Sequence, residues 1–143
     1  MTKKIIGRVD SIDFPKLNLY NVNSKIDTGA YTSAIHCYKV EEKDGVLYCY
    51  FTQDNTNQPI IFKEYTLTDV KSSNGYKENR FKIKSEVVLF RKSYRINLTL
   101  STRDDMKFPV LIGRQFLNKK FLVDVDLEYV SQRQVNNEHS YSL

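Results

Sequence analysis

Apolar and polar residues alternate along much of this chain with a period of two. Successive side chains of a β-strand point to opposite faces, so this period is typical of strands with one buried face. Helical periodicity is scarce, and the pattern predicts an all-β domain. The positions predicted to share one buried face are clearest in two stretches: Phe81, Ile83, Ser85 and Val87, then Tyr94, Ile96, Leu98 and Leu100.

Turn signals divide this pattern into strands. Lys43-Asp44-Gly45 predicts one hairpin, and residues 72–75, which contain Asn-Gly, predict another. Polar residues at 53–58 predict a loop. The other predicted strands are 5–12, 17–26, 34–40, 46–52, 60–70 and 121–130.

Length and composition predict a single domain over residues 1–130, followed by a polar, flexible tail over 131–143. Hydrophobic residues make up 41% of the chain, which is enough for a core, and the formal charge of +5 favours acidic partners. The two cysteines, Cys37 and Cys49, lie in apolar surroundings. This predicts buried free thiols rather than a disulfide framework.

Several function classes are disfavoured by what the sequence lacks. No stretch approaches the roughly 18 apolar residues of a membrane-spanning helix, and the first residues do not resemble a signal peptide. No RNA-binding motif accompanies the basic charge. We therefore expect a soluble, cytoplasmic protein that binds neither membranes nor nucleic acid.

One acidic residue, Asp27, is placed for chemistry. An alternating run ending at Ile26 leads into it, and Thr28-Gly29-Ala30 then turns the chain sharply. Small residues there let another backbone approach, and Gly29 can adopt dihedral angles that other residues avoid. The apolar neighbours Ile26 and Ala30 suit an acid whose proton affinity is tuned. By itself, Asp-Thr-Gly is also consistent with an ordinary aspartate that caps its own turn.

A second stretch, Pro109–Leu117, runs from an apolar strand into Gly113-Arg114 and a short helical turn. The order Asp-Thr-Gly-Ala, a β-rich middle, then apolar-apolar-Gly-Arg resembles the retropepsins, the single-lobe aspartic proteases. The resemblance covers roughly residues 17–124. It implies a closed, mostly antiparallel β-barrel with a flap hairpin and one short helix just after Gly113. It also implies a symmetric homodimer that brings Asp27 of each subunit to a two-fold axis.

The resemblance also implies roles for the residues around the aspartate. Thr28 would take the position whose hydroxyl hydrogen-bonds across the two-fold axis. Gly29 would let the substrate backbone pass close, and Ala30 would flank the site. Gly113 and Arg114 would be structural or interface residues.

The chain departs from the retropepsin pattern at Tyr31. Many retropepsins carry an aspartate there, which pairs with the arginine of Gly-Arg and helps to form the dimer interface. Arg114 must therefore find another partner. The candidates are Asp104, Asp105 and Asp124, or a carbonyl group.

A closer resemblance extends along the chain. Its motifs are Lys-x-Asp-Thr-Gly-Ala-x-Thr-Ser-Ala-x-His at 25–36, Ser-Ser-x-Gly with an arginine five residues on at 72–80, Leu-Thr-Leu-Ser-x-Arg-x-x-Met at 98–106 and Phe-Leu-Val-Asp at 121–124. This set resembles the bacterial retropepsin-like family often labelled ATP-dependent zinc protease. Some of its members are encoded with, or fused to, RimK-type ligases that add glutamate to protein tails.

Two carboxylates around one water can cleave a peptide bond. Held close together, they share one proton. The ionised carboxylate takes a proton from the water, which attacks the peptide carbonyl, while the protonated one donates to the developing oxyanion. The predicted function is therefore an aspartic-type peptidase, a hydrolase, with Asp27, Thr28 and Gly29 in the catalytic loop. The alternative is a non-catalytic peptide-binding or dimerisation module of the same fold.

The hairpin at 72–75 occupies the place of the retropepsin flap, where it would close over a substrate; a plain surface hairpin is the alternative. Residues 77–95 carry seven basic and two acidic side chains. This excess of positive charge is typical of a strand face exposed to solvent. The alternative interpretation is that these residues form a basic arm, which attracts a glutamate-rich peptide. The residues predicted to contact substrate are Ala30, Ser72, Ser73, Asn74, Gly75, Arg80 and Arg103.

The zinc and ATP of that family label find no support in the residues. No phosphate-binding Gly-x-x-x-x-Gly-Lys-[Ser/Thr] motif occurs. A catalytic zinc takes three protein ligands, whereas the chain has two histidines, His36 and His139. His36 and Cys37 are adjacent and would point to opposite faces of a strand. We expect no metal and no cofactor, and we expect His36 to be a hydrogen-bonded core or supporting residue.

Overall fold

The structure is a computed structural model that describes residues 2–53, 58–71 and 75–132. Most of this part of the chain is extended, as the alternation predicts. Its helices are α1 (Arg114–Leu117) and a 3-10 helix (Pro15–Leu17), and residues 130–132 are also helical. Its strands are β1 (Lys4–Ile6), β2 (Val9–Phe14), β3 (Leu19–Ile26), β4 (Ser33–His36), β5 (Lys39–Lys43), β6 (Val46–Tyr50), β7 (Ile60–Phe62), β8 (Thr66–Lys71), β9 (Lys77–Leu89), β10 (Lys92–Ser101), β11 (Val110–Ile112) and β12 (Phe121–Val123).

Within the described residues, six strands close into a barrel in the order β10, β4, β11, β3, β2 and β9, and β9 pairs back with β10. The β10–β4 and β11–β3 pairs are parallel, and the other four pairs are antiparallel. The predicted closed, mostly antiparallel barrel is therefore confirmed, as is the short helix after Gly113. β8 extends the barrel sheet beyond β9, β5–β6–β7 form a second sheet, and β1 pairs with β12.

The long β9–β10 hairpin shows why the predicted alternation sets the core. Ile83 and Val87 of β9 are buried, and so are Ile96 and Leu98 of β10. Burying an aliphatic side chain of this size stabilises the fold by about 1.5–3 kcal/mol. The inward face of the hairpin therefore contributes much of the barrel core.

Three predicted strands are each divided in two: those at 5–12, 34–40 and 60–70. In the first, a Cβ atom on Gly7 would lie 2.2 Å from the carbonyl oxygen of Leu127. The chain there packs backbone against backbone and leaves the sheet. Alternation alone does not reveal such a crossing.

Other predicted strands are too long. The one at 121–130 ends at Val123, because the carboxylate of Asp124 accepts the N–H of Asp126 at 3.0 Å and turns the chain. The strands predicted at 17–26 and 46–52 are each two residues shorter in the structure.

The hairpin predicted at Lys43-Asp44-Gly45 joins β5 to β6. Asp44 and Gly45 have φ angles of 52° and 74°, the left-handed pair of a type I′ turn. In the second predicted turn, Ser72, Ser73 and Asn74 lie outside the described residues. Gly75 is described, and its φ angle is 90°.

The end of the described chain is anchored to the barrel. Ser131 is buried, and both its N–H and its hydroxyl donate to the carboxylate of Asp10 on β2. Residues 133–143 lie outside the described part, so the division into a domain at 1–130 and a tail at 131–143 stays a prediction. No helix among the described residues is long and apolar enough to cross a membrane.

Candidate active site

Asp27 follows directly after β3 and lies at an edge of the barrel. Its N–H donates to the carbonyl oxygen of Ile112 at 2.8 Å, which ties the aspartate to the end of β11. Its Oδ1 accepts the N–H of Gly29 at 3.1 Å, and its carbonyl oxygen accepts the N–H of Ala30 at 3.2 Å. The side chain caps its own turn through one oxygen. The other oxygen has no hydrogen-bond donor among the described residues and remains available for chemistry.

The Asp27 turn interlocks with the segment at the start of α1. The N–H of Gly113 donates to Ser33 Oγ at 3.0 Å, and the N–H of Arg114 donates to the carbonyl oxygen of Ala30 at 2.8 Å. A Cβ atom on Gly113 would lie 2.6 Å from the carbonyl oxygen of Tyr31. Only glycine allows the two backbones to approach this closely. The two sequence motifs therefore build one rigid unit.

Arg114 bonds a carbonyl group rather than an acid. Its Nη1 donates to the carbonyl oxygen of Thr28 at 2.8 Å. Its guanidinium lies 5.8 Å from the ring centroid of Tyr31, within the range of a cation–π contact. Asp105, one of the predicted acids, accepts two hydrogen bonds from Arg103 instead. Tyr31 thus takes the aspartate's place beside the arginine, and Arg114 supports the turn directly.

Gly29 does not use the left-handed backbone conformation that glycine can adopt. Its φ angle is not in the left-handed region, where only Gly45 and Gly75 lie among the described glycines. A Cβ atom there would meet Asp27 Oδ1 at 3.4 Å, an ordinary contact distance. The fold does not require a glycine at this position, and the predicted close approach of a substrate backbone stays a prediction.

A cavity of about 560 Å³ opens beside Asp27. Lys25 lies abreast of Val9 on β2 and Leu111 on β11, because the three strands pair in that register. The cavity has apolar walls and three cations in its lining, and Asp27 is its one acid. Its lining residues are Arg8, Val9, Lys25, Ile26, Asp27, Thr28, Met106, Lys107, Phe108, Leu111 and Val125.

The three cations differ in how they are held. Arg8 forms an ion pair with Glu128 and donates to the carbonyl oxygen of Val125 at 2.8 Å. Lys25 and Lys107 are exposed, and neither pairs with an acid among the described residues. These two lysines therefore offer free positive charge next to Asp27. The sequence analysis missed them as site residues, because only the strand register brings them to the cavity.

The two arginines predicted to contact substrate are each paired within the chain. Arg80 Nη2 lies 3.1 Å from Glu78 Oε2. Arg103 donates two hydrogen bonds to the carboxylate of Asp105, from Nε at 3.1 Å and from Nη2 at 2.8 Å. The hydrogen bonds between Arg103 and Asp105, together with the attraction of their opposite charges, raise the pKa of Arg103 and lower the pKa of Asp105. Contact of these arginines with substrate stays a prediction.

His36 is not hydrogen-bonded at Nε2, contrary to expectation. That atom is buried and has no partner among the described residues; Asp104 Oδ1 lies 4.0 Å away. The ring packs edge-on against Tyr38, with the centroids 4.6 Å apart. No group of three or more His, Cys, Asp or Glu side chains within the described chain could hold a metal ion.

The two cysteines are free and buried, as predicted. Burial raises the pKa of each thiol, Cys37 and Cys49, to about 12. They line the interior rather than the candidate site.

Comparison with known proteins gives the family. A family model described as "RimB-like: Retropepsin-like aspartic endopeptidase RimB" matches residues 5–134. The chain belongs to this RimB-like family. The match spans both motifs and the cavity beside Asp27, and it confirms the resemblance predicted from the motifs.

Two curated relatives are each named probable alpha-L-glutamate ligase. The protein from Desulfotalea psychrophila is 32% identical over 140 residues, and that from Shewanella pealeana is 34% identical over 130. The matches cover 90% and 85% of this chain but only 29% and 28% of the relatives. The RimB-like chain therefore spans less than a third of the length of these relatives.

A solved structure shares the fold. The crystal structure of Lpg0085, a protein of unknown function from Legionella pneumophila, matches with a TM-score of 0.68 and 26% identity. The match covers 91% of this chain and 99% of that one.

Proposed function

We propose that this RimB-like chain is one subunit of a homodimeric aspartic peptidase. The observation that carries the proposal is Asp27 itself, with one carboxylate oxygen fixed by the N–H of Gly29 and the other unoccupied at the barrel edge. A single carboxylate cannot act as base and acid in the same step. A two-fold axis beside Asp27 would supply the second one.

In the proposed dimer the two Asp27 carboxylates share one proton, because two close negative charges repel. The ionised carboxylate takes a proton from a bound water as that water attacks the peptide carbonyl. The protonated carboxylate donates its proton to the carbonyl oxygen, which gives a neutral tetrahedral intermediate. The carboxylate that took the water proton then donates it to the leaving nitrogen, while the other carboxylate takes a proton from a hydroxyl group of the intermediate. The C–N bond breaks, the amine and the carboxylic acid leave, and the pair again holds one shared proton.

The surrounding contacts support such a pair by limiting its motion. Arg114 holds the carbonyl oxygen of Thr28, and this leaves the Thr28 side chain exposed at the barrel edge. Its hydroxyl has no hydrogen-bond partner among the described residues and is available to bond across the proposed axis. Well-fixed reacting groups raise the rate because little reorganisation is needed in the transition state.

The cavity beside Asp27 supports an acidic substrate. A glutamate side chain could pack its methylene groups on Phe108 and Leu111 and place its carboxylate near Lys25 or Lys107. The predicted basic arm gives weaker support, because Lys82 is half-buried whereas Lys84 is exposed. We therefore place the selection of acidic peptides in this cavity rather than on the arm.

The peptidase is tested by Asp27→Asn, which keeps the shape of the side chain and removes its acid–base chemistry. We expect peptide cleavage to be abolished while circular dichroism and the melting temperature stay close to those of the wild type. The matched control is Asp69→Asn on β8, an exposed aspartate that should leave cleavage unchanged. Full cleavage by Asp27→Asn would refute the catalytic role of Asp27, whereas a folded wild type that cleaves no peptide would make a binding module the better interpretation.

The acidic preference is tested separately with Lys25→Gln and Lys107→Gln. Each should raise KM for a glutamate-rich peptide, by about threefold to tenfold, and leave KM for a neutral peptide unchanged, because attraction between opposite charges is lost. Lys84→Gln on β9 is the matched control. Equal effects on both peptides, without salt dependence, would remove the acidic preference and leave a peptidase with an apolar cleft.

A further inference from the structure

A second cavity, of about 450 Å³, borders the loop that joins β10 to β11. This loop, residues 102–109, carries Met106, which lines both this cavity and the one beside Asp27. The loop therefore forms a shared wall, and a movement on one side changes the shape of the other. The second cavity is lined by His36, Tyr38, Gln53, Asp104, Met106 and Pro109.

The two ends of the loop are fixed to the end of β4. The N–H of Cys37 donates to the carbonyl oxygen of Ser101 at 2.8 Å, and the N–H of His36 donates to that of Pro109 at 2.8 Å. The loop arches over these two residues. These two hydrogen bonds hold its ends, whereas residues 104–108 make no backbone hydrogen bond to other elements of the described chain.

His36 has an unmet hydrogen bond beneath this arch. Its Nε2 is buried without a partner in the described chain, and such an atom is costly to leave unpaired. Asp104 Oδ1 lies 4.0 Å from it, and the Asp104 side chain is 97% exposed. Asp105 is already held by Arg103, whereas Asp104 has no other partner among the described residues. A movement of roughly 1 Å would bring the two atoms to hydrogen-bond distance.

We propose that His36 is a positioning residue that latches this loop. In the closed form, His36 Nε2–H donates a hydrogen bond to Asp104, and the loop then holds Met106 and Phe108 as fixed walls of the Asp27 cavity. A peptide that packs on these two side chains favours the closed form. The catalytic consequence rests on the proposed peptidase, whereas the latch itself does not.

The latch is tested first by a double-mutant cycle on peptide cleavage. His36→Phe keeps a ring but removes the donor, and Asp104→Ala removes the acceptor. Each should lower kcat/KM about tenfold, equivalent to about 1.4 kcal/mol, chiefly through KM, and the double variant should be no worse than either. His36→Gln, which keeps an N–H donor, should recover part of the loss. Glu64→Ala, which removes an exposed carboxylate on the β7–β8 connection, should change nothing.

The second measurement does not depend on cleavage. Amide hydrogen exchange of residues 102–108 should be faster by the same factor in His36→Phe, in Asp104→Ala and in the double variant, with β9 unchanged. If the wild-type protein cleaves no peptide, the peptidase proposal fails and this exchange measurement still decides the latch. Additive effects in either measurement, or wild-type behaviour of Asp104→Ala, would overturn the latch and leave His36 as a packing residue.

Discussion

Replacement of Gly113 by alanine should damage the site more than the fold. A Cβ atom there would lie 2.6 Å from the carbonyl oxygens of Tyr31 and Thr32, and real Cβ atoms do not approach closer than 3.0 Å. The two backbones must therefore separate by at least the difference, about 0.4 Å. Overpacking of this kind costs about 1–3 kcal/mol, which corresponds to a fall in Tm of roughly 3–10 °C for a chain of this size.

The same shift would move the Asp27 turn, because Gly113 and Arg114 bond the segment that follows it. A 1 Å misplacement of a reacting group can cost about a hundredfold in rate, so we expect kcat to fall at least about tenfold. The assay is peptide cleavage at saturating substrate, measured beside a thermal melt of the same protein.

Gly29→Ala is the matched control for stability. Its Cβ would meet only Asp27 Oδ1, at 3.4 Å, so its Tm should be unchanged or slightly raised. A Gly113→Ala protein with the wild-type Tm and kcat would refute the reasoning. So would a large loss of Tm in Gly29→Ala.

Three further predictions concern the rest of the chain. Because burial raises the pKa of Cys37 and Cys49 to about 12, a thiol reagent at pH 8 should label neither until the protein unfolds, and rapid labelling of the folded protein would contradict their burial. Burial raises the pKa of the Asp10 carboxyl group above its ordinary value of 3.8. The stabilisation that the protonated carboxyl group contributes is therefore complete below that ordinary pKa and is lost as the pH rises through the pKa of the folded state. The unfolding free energy of the wild type, measured relative to that of Asp10→Asn, should fall across that range, and a difference that does not depend on pH would contradict this. Phe90 is buried and stacks on Phe121 despite a φ angle of 54°, so Phe90→Asn should lose about 2–4 kcal/mol of stability in a denaturant melt, since lost packing outweighs relieved strain; a gain in stability would contradict this.

Local pattern was sufficient for much of the fold. The alternation of Ile83 and Val87 gave the buried face of β9, and Asp44-Gly45 gave the hairpin between β5 and β6. These features depend on neighbours within a few residues along the chain. The closed barrel was predicted from the resemblance of the two motifs to a known family rather than from periodicity.

The register between strands could not be predicted from the sequence. β11 lies between β3 and β4, although it follows them by more than seventy residues, and this places Leu111 beside Lys25. Alternation says which face a side chain occupies but not which strand lies next to it. The cavity beside Asp27, and the lysines in it, were therefore not predictable from local pattern.

Close contacts between backbone segments could not be predicted from the sequence either. Gly29 does not use the dihedral angles that glycine alone adopts readily, whereas Gly7 and Gly113 each lie in close contact with another backbone. Nothing in the local sequence separates these three glycines. Arg114 likewise bonds a carbonyl group whose position depends on the folded turn.

The central claim is that catalysis needs one Asp27 from each of two subunits. The most direct test mixes wild-type protein with Asp27→Asn at a fixed total concentration, after the subunits have exchanged. If both carboxylates are required, mixed dimers are inactive and activity follows the square of the wild-type fraction, so an equal mixture keeps about one quarter of the activity. A linear decline, with about one half remaining in the equal mixture, would show that each chain works alone and would contradict the account.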